Sequence, residues 1–275
     1  MGLVANYPIA QAPGMGLNAF FTYSVVLGMG YTWQVALAAV FVSGLLFILL
    51  SIFKIREWII NSIPLSLRTG ISAGIGLFLA FIALKNAGIV VDNPATLVSM
   101  GNITSLPSVL AAIGFFMTIA LVHRGVKGAV MIAILGVTIL GLIFGDVQWG
   151  GIMSTPPSIA PTFMQLDFSG LFEVGMISVV FAFLFVDLFD TAGTLVGVSQ
   201  KAGLTDENGN IPRLNKALLA DSTATSVGAL LGTSNTTSYI ESVSGVAAGG
   251  RTGLTAVVVG VLFLLALLFS PLAGM

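Results

Sequence analysis

Long apolar stretches separated by short clusters of charged residues dominate the pattern of this chain. Many of the stretches approach or reach the length of about 17 to 25 residues that a helix needs to cross the hydrocarbon core of a membrane. The clearest candidates are 33–53, 69–84, 103–122, 128–145, 171–198, 218–231 and 252–268. The pattern predicts an all-α protein with many membrane spans.

The segment 12–29 is uncharged but rich in small residues, which favours a broken helix. Pro8 and Pro13 push their preceding residues towards extended conformations, and Gly14 permits a sharp turn. A helix can begin at about Met15. We therefore expect extended chain followed by a half-helix.

The segment 232–250 has the same character, because a polar stretch of Thr, Ser and Asn precedes a possible helix start. If every apolar segment crosses the bilayer, about nine crossings result, and these two segments run in opposite directions. Discontinuous helices of opposite direction form the midplane site of inverted-repeat transporters. The alternative is that small residues merely allow close helix packing.

Basic residues predict the orientation, because they collect on the cytoplasmic side. They cluster at four connections: Lys54, Arg56 and Arg68; Arg124 and Lys127; Lys201, Arg213 and Lys216; and Arg251. The intervening loops 88–105 and 146–170 contain no Lys or Arg. We expect a multi-pass protein of the cytoplasmic (inner) membrane, with His123 in an interfacial position rather than a proton relay.

Composition strengthens the membrane assignment. Apolar residues make up 56% of the chain and charged residues 8%, with mean hydropathy +1.05 and net charge −1. A soluble domain carries about 25% charged residues. These values exclude a soluble globular protein, a disordered chain and a nucleic-acid binder with a basic surface. With no cysteine and no metal-ligand or nucleotide motif, neither a cofactor nor an enzyme is expected.

Three carboxylates lie within the predicted spans. A charged side chain there costs at least about 2.5 to 3.5 kcal/mol, so it is a candidate for function. Asp187 and Asp190 share one helical face at i and i+3, and Glu241 lies in the second broken segment. The alternative is a structural hydrogen bond or a cap at a helix break, to which Asp190 is more open. The sequence leaves Asp221 undecided between a buried partner and an interfacial cap.

Three motifs carry a family resemblance: Ala-Pro-Gly-Met-Gly-Leu-Asn-Ala-Phe-Phe at 12–21, Asp-Leu-Phe-Asp-Thr-Ala-Gly-Thr-Leu at 187–195, and Gly-Thr-Ser-Asn-Thr-Thr-Ser-Tyr-Ile-Glu-Ser-Val-Ser-Gly-Val at 232–246. Together they closely resemble the AzgA-like purine permeases of the nucleobase–ascorbate (NCS2) superfamily. The resemblance implies proton-coupled uptake of adenine, guanine or hypoxanthine by alternating access.

The resemblance also implies a fold of fourteen spans, as two inverted seven-span repeats arranged into core and gate domains. Short strands in the third and tenth spans would meet at the binding site. On this basis 1–275 is predicted to be one transporter domain, incomplete at both ends, with 171–250 as the site region of the core. The first two and last three spans would be missing.

The resemblance assigns roles to individual residues. Asp187 and Glu241 would bind the purine, with help from Asn18. Asp190 and Thr191 would order the site or, with Glu241, take part in proton coupling. Backbone N–H groups near Phe20 and Ile240 and the ring of Phe189 would complete the contacts, since a purine offers ring donors, acceptors and a flat face.

Other functions remain open at this point. The same fold could carry uracil or xanthine, whereas three acidic groups argue against an anion. An intramembrane aspartyl protease also uses two membrane aspartates. It needs them on separate helices, however, and the sequence has both on one segment. The sequence determines neither the preferred purine nor whether the protein is a homodimer.

Overall fold

The protein is described here by a computed structural model covering residues 1–62, 64–126, 128–145, 147, 149–206 and 210–274. The chain divides into two units. Unit 1 comprises Met1–Ala73 and Pro157–Phe263, and unit 2 comprises Gly74–Pro156 and Leu264–Met275. Unit 1 contains both predicted broken segments and therefore holds the candidate site.

Helices account for most of the described chain, and each predicted apolar segment contains one. The helices are α1 (Gly2–Ala5), α2 (Met15–Ala19), α3 (Trp33–Ile52), α4 (Ile55–Ser62), α5 (Leu65–Asn86), α6 (Leu106–His123), α7 (Ala129–Phe144), α8 (Val174–Ala202), α9 (Leu214–Leu231), α10 (Ser242–Ala247), α11 (Gly253–Ala266) and α12 (Ser270–Ala273). The strands are β1 (Gln11–Pro13), β2 (Val90–Asn93), β3 (Leu97–Met100) and β4 (Thr236–Ser238).

Local residues explain where several helices begin and end. The Thr32 hydroxyl accepts a 3.4 Å hydrogen bond from the Val35 N–H and so caps the start of α3. Gly145 and Gly203 follow α7 and α8 with φ of 81° and 68°, a conformation that glycine adopts without steric cost. His123 is the last residue of α6, at the helix end that the sequence predicts.

The core of unit 1 is formed mainly by α3, α8 and α9. Gly44 on α3 allows a close approach to α9, because a Cβ atom there would lie 2.5 Å from Ser226 Oγ. Apolar side chains fill the space on either side: Phe47, Leu184, Leu188, Leu195, Leu214 and Leu218 in one cluster, and Leu17, Val25, Val40, Met176 and Phe183 in another. This packing holds α8 and α9 beside the two broken segments.

The two broken segments meet through their strands. β1 pairs antiparallel with β4, with Gln11 opposite Ser238 and Pro13 opposite Thr236. The pairing continues beyond the strands, since the Gly14 N–H donates a 2.9 Å hydrogen bond to the Asn235 carbonyl. We call this pair of strands the strand crossing. It confirms that extended chain precedes each half-helix.

The helices that follow the strands differ from each other. α2 begins at Met15, as predicted, and continues as a π-helix over Phe20–Gly28. α10 begins at Ser242 and has only 6 residues. The π-helix was not predicted, because its wider turn leaves no clear trace in apolar periodicity.

A side-chain hydrogen bond joins the starts of α3 and α8. The Tyr31 hydroxyl donates a 3.0 Å hydrogen bond to Glu173 Oε2, just before each helix begins. This hydrogen bond to the carboxylate raises the pKa of Tyr31 above its ordinary value. The contact connects the two helices that flank the first broken segment.

In unit 2, α6 packs on α7, where a Cβ atom on Gly114 would lie 2.8 Å from Val137 Cγ2. The loop 88–105, which the sequence left without structure, contains a β2–β3 hairpin. Beside it, Lys85 Nζ and Asp92 Oδ1 form an exposed ion pair at 3.4 Å.

Among the described residues, four helices are long and apolar enough to cross a membrane: Trp33–Ile52, Leu106–His123, Val174–Ala202 and Gly253–Leu272. Shorter apolar helices are Met15–Gly28, Gly76–Asn86 and Ala129–Phe144. Much of the apolar surface of α6, α7 and α11 is exposed, which suits contact with lipid. The count of about nine crossings and the orientation stay predictions.

Candidate functional site

Two consecutive hydroxyls on β4 bind two different carboxylates. Thr237 Oγ1 donates a 3.0 Å hydrogen bond to Asp190 Oδ2 on α8, and Ser238 Oγ donates a 3.0 Å hydrogen bond to Asp221 Oδ1 on α9. Successive side chains of a strand point to opposite sides, so one short strand can contact both helices. The strand crossing is thereby attached to α8 and α9 at once.

Asp221 is a fully buried partner rather than an interfacial cap, which answers the question that the sequence left open. Besides Ser238, it accepts a 3.0 Å hydrogen bond from Thr191 Oγ1 and a 3.4 Å hydrogen bond from Gln11 Nε2. Its carboxylate thus connects α8, α9, β1 and β4. The sequence carries a signal for this role, since the acid is followed directly by Ser222 and Thr223 in a short, polar span.

Both α8 aspartates lie on one helix, as predicted, but their environments differ. Asp187 is completely buried, whereas Asp190 is partly exposed. Asp187 belongs to a buried stripe with Thr191 and Leu195, at the spacing of four residues that follows one helix face. Asp190 stands at the edge of this stripe, next to the strand crossing.

Glu241 is exposed and lies in the turn just before α10. Its carboxylate is close enough to Asp190 for the two charges to interact, and the same holds for Asp221 and Asp190. Three of the four acids therefore gather near the end of β4. Asp187 and Glu241, the two residues predicted to bind a purine, occupy a buried and an exposed position respectively.

Asn18, on α2, is partly buried and connects the two broken segments. Its Oδ1 accepts a hydrogen bond from the Ser234 hydroxyl, which lies just before β4. An amide whose oxygen is engaged still has its N–H₂ group as a donor. Asn18 can thus present a donor beside the strand crossing.

The structure corrects the role expected for Phe20. Its backbone N–H donates to the carbonyls of Gly16 and Leu17 inside the helix, so the expectation of an available N–H near Phe20 is wrong. The helix begins five residues earlier, at Met15, and its orphan N–H groups belong to that first turn. The ring of Phe20 instead packs edge-on against Phe183 of α8, with centroids 5.3 Å apart.

Ile240 and Phe189 are the other two residues predicted to contact the purine. Ile240 lies in the turn before α10 and is partly buried against the core. Phe189 is on α8 with 43% of its surface exposed, so one aromatic face of this helix is accessible. Both positions are compatible with their expected roles, which stay predictions.

Asn235 is a polar residue that sequence reasoning missed. It is fully buried, and both atoms of its side-chain amide have no hydrogen-bond partner within the described part of the chain. Only its backbone carbonyl takes part in the strand crossing, by accepting the Gly14 N–H. A buried amide is normally satisfied, so this position marks the crossing as more than a packing contact.

The chemistry available at the strand crossing is hydrogen bonding. Carboxylates supply acceptors, Asn18 supplies a donor, and aromatic rings supply flat apolar faces. Among the described residues, no group of three or more His, Asp and Glu side chains could hold a metal ion. Such a set suits a flat, polar heterocycle that carries both donors and acceptors.

Comparisons with known proteins agree with this picture. The family model described as "Permease family" matches residues 1–275. Adenine permease AdeP of Escherichia coli (strain K12) is 52% identical over 275 residues, which is 100% of this chain and 62% of that protein. Guanine/hypoxanthine permease PbuG of Bacillus subtilis (strain 168) is 54% identical over 275 residues, covering 99% of this chain and 62% of that protein.

A solved structure shares the fold. The transmembrane domain of the cyanobacterial bicarbonate transporter BicA superposes with a TM-score of 0.66 at 17% identity, over 98% of this chain and 71% of that one. This identity supports the fold alone. The chain spans 62% of the length of the curated relatives given above. With a family model matched over residues 1–275 and relatives above 50% identity, the chain belongs to the permease family and has a helical membrane transporter fold.

Proposed function

We propose that the transporter containing this chain takes up purine nucleobases across the cytoplasmic membrane by alternating access, coupled to protons. The observation that carries the proposal is the strand crossing of β1 and β4. It brings the antiparallel strands that precede the two half-helices to one place beside acidic side chains. Relatives named as adenine and guanine/hypoxanthine permeases support the substrate class.

The purine contacts follow from the donors and acceptors present. Asp187 and Glu241 accept hydrogen bonds from ring N–H groups of the substrate, and the Asn18 amide donates to a ring nitrogen or carbonyl. The backbone N–H of Ile240 adds a donor at the start of the second half-helix. Phe189 packs on the flat face of the purine.

Asp190 and Thr191 order the site. Thr237 holds the Asp190 side chain by its 3.0 Å hydrogen bond, and Thr191 holds Asp221. Asp190 and Glu241 are the groups we assign to proton coupling. A carboxylate that accepts a proton loses its charge, and a neutral group moves through a low-dielectric environment at a smaller cost.

The proposal extends to the architecture of the complete transporter. Two inverted repeats of seven spans are together arranged into a core domain and a gate domain. We assign unit 1 to the core domain and unit 2 to the gate domain. A homodimer in the lipid bilayer is part of the same proposal. Each rests on the resemblance of the motifs at 12–21, 187–195 and 232–246.

Uptake of radiolabelled adenine, guanine and hypoxanthine tests the proposal. The complete transporter is expressed in cells that lack their own purine uptake, with and without a proton gradient. We expect gradient-dependent uptake that Asp187→Asn and Glu241→Gln each abolish. Asp92→Asn, which changes an exposed acid of unit 2, should leave uptake intact.

Three results would contradict parts of the proposal. If the transporter takes up none of the three purines, the proposed substrate class is wrong. If uracil or xanthine competes better than these purines for uptake, the substrate is another nucleobase. Uptake that survives collapse of the proton gradient would overturn the coupling. Normal uptake by both Asp187→Asn and Glu241→Gln would overturn the site.

A further inference from the structure

The two oxygens of Asp221 divide their hydrogen bonds between the strand crossing and α8. Oδ1 accepts from Gln11 Nε2 at 3.4 Å and from Ser238 Oγ at 3.0 Å. Oδ2 accepts from Thr191 Oγ1 at 3.0 Å. One carboxylate on α9 therefore contacts both strands of the strand crossing and the helix that carries Asp187 and Asp190.

The two donors to Oδ1 are not independent of each other. Gln11 and Ser238 are direct partners across the β1–β4 pair. A single acceptor oxygen thus fixes the two strands at one rung of their ladder. The position of this rung sets where each strand continues towards its half-helix: β1 leads to the helix that begins at Met15, and β4 leads to the helix that begins at Ser242.

The same network reaches the proposed site through adjacent residues. Thr191 directly follows Asp190 on α8, and Ser238 directly follows Thr237 on β4, so the Asp221 contacts flank the Thr237–Asp190 hydrogen bond. A shift of Thr191 therefore moves the backbone of the adjacent Asp190, and a shift of Ser238 moves the backbone of the adjacent Thr237. A fully buried carboxylate is expensive to retain, and hydrogen bonds to a charged group are about twice as strong as neutral ones.

We propose that Asp221 is a positioning residue for substrate binding: it holds the strand crossing against α8, so that the substrate-contacting groups of α2, of α8 and of the turn before α10 keep their relative places. It does not touch the substrate. This inference rests on the proposed function, since its effect is expressed in the binding of a purine.

Asp221→Asn in the complete transporter is the principal test. The substitution keeps the shape of the side chain but replaces one acceptor oxygen with an N–H₂ group, which cannot accept, so either the Thr191 contact or the Gln11 and Ser238 contacts are lost. We expect the KM for purine uptake to rise about tenfold or more, because hydrogen bonds to a charged group are lost. The maximal rate per transporter in the membrane should change much less.

Ser222→Ala is the matched control. Ser222 is the next residue on α9 and is also fully buried, but its hydroxyl donates to the Leu218 carbonyl of its own helix at 2.6 Å. Its KM should stay at the wild-type value. Asp221→Glu retains the charge on a longer side chain and should recover part of the lost affinity.

A double-mutant cycle covers the case in which Asp221→Asn does not fold. Gln11→Ala and Ser238→Ala remove one donor each and leave the carboxylate in place. Each should raise the KM, and the double variant should raise it by less than the product of the two effects, because both donors act through one oxygen.

The outcomes separate the two proposals. A wild-type KM in folded Asp221→Asn, or a lower abundance with unchanged KM, would overturn the positioning role while leaving the proposed function intact. Independent, multiplicative effects of Gln11→Ala and Ser238→Ala would also overturn it. Absence of purine uptake by the wild-type transporter would overturn the proposed function and this inference with it.

Discussion

Thr237 and Asp190 are 47 residues apart in the chain, and the hydroxyl of the first donates a 3.0 Å hydrogen bond to the carboxylate of the second. The contact joins the second broken segment to α8. A hydrogen bond to a carboxylate is charge-assisted and restricts the side chain to one orientation. The orientation of Asp190 therefore depends on the strand crossing.

Replacement of Thr237 by Val tests this dependence, because it keeps the branched shape and removes only the donor. We expect the ratio of maximal rate to KM for purine uptake to fall about ten- to hundredfold, the range for loss of a hydrogen bond to a charged group. Thr237→Ser retains the hydroxyl and should keep most of the activity. Equal uptake by the Val and Ser variants would show that the contact is not needed.

Ser234 is expected to orient Asn18 for substrate binding. Ser234→Ala removes the donor to Asn18 Oδ1, so the amide is free to rotate and its N–H₂ group is no longer directed. The KM for purine should rise about three- to tenfold, the effect of one neutral hydrogen bond. Thr223→Ala, which removes an exposed hydroxyl bonded to its own helix, is the control. If both variants raise the KM equally, the orientation of Asn18 is not the cause.

Substrate analogues test the carboxylate contacts directly. A purine with a methyl group in place of a ring N–H hydrogen cannot donate to Asp187 or Glu241 and leaves that carboxylate without its hydrogen bond. Its potency in competition with labelled hypoxanthine should be about ten- to hundredfold lower than that of the parent purine. A methylated analogue that competes as well as its parent, at every ring nitrogen tried, would contradict the assignment.

Gly44 is expected to be essential for packing of α3 on α9. A Cβ atom there would lie 2.5 Å from Ser226 Oγ and 3.1 Å from Ser226 N, so relief requires the backbone of α9 to move. Gly44→Ala should destabilise the folded protein by about 1 to 3 kcal/mol, the usual cost of overpacking. The measurement is thermal unfolding of the purified transporter in detergent.

Gly260→Ala is the matched control for this substitution. Gly260 lies in α11, and a Cβ atom there would meet no heavy atom within 4 Å. Its melting temperature should be unchanged or slightly higher, because alanine has the greater helix propensity. A melting temperature for Gly44→Ala equal to that of Gly260→Ala would contradict the tight packing of α3 on α9.

Local sequence was a good guide to the helices and to the start of the first half-helix. Pro13 and Gly14 break the chain by their own backbone restrictions, and α2 begins at Met15 as expected. Local sequence was a poor guide to which N–H groups are available, since Phe20 already donates within the helix. The β2–β3 hairpin and the π-helix were also missed, because neither has a strong local signature.

The scarcity of charge made the membrane class, the helix positions and the intramembrane acids readable from the sequence alone, because each of these follows from composition and local order. Tertiary structure decided which of those acids meet which partners. Gln11 and Asp221 are 210 residues apart, and Thr191 and Asp221 are 30 apart. Such contacts depend on how strands and helices pack, so only the folded chain shows that Asp221, undecided in the sequence, connects the strand crossing to α8.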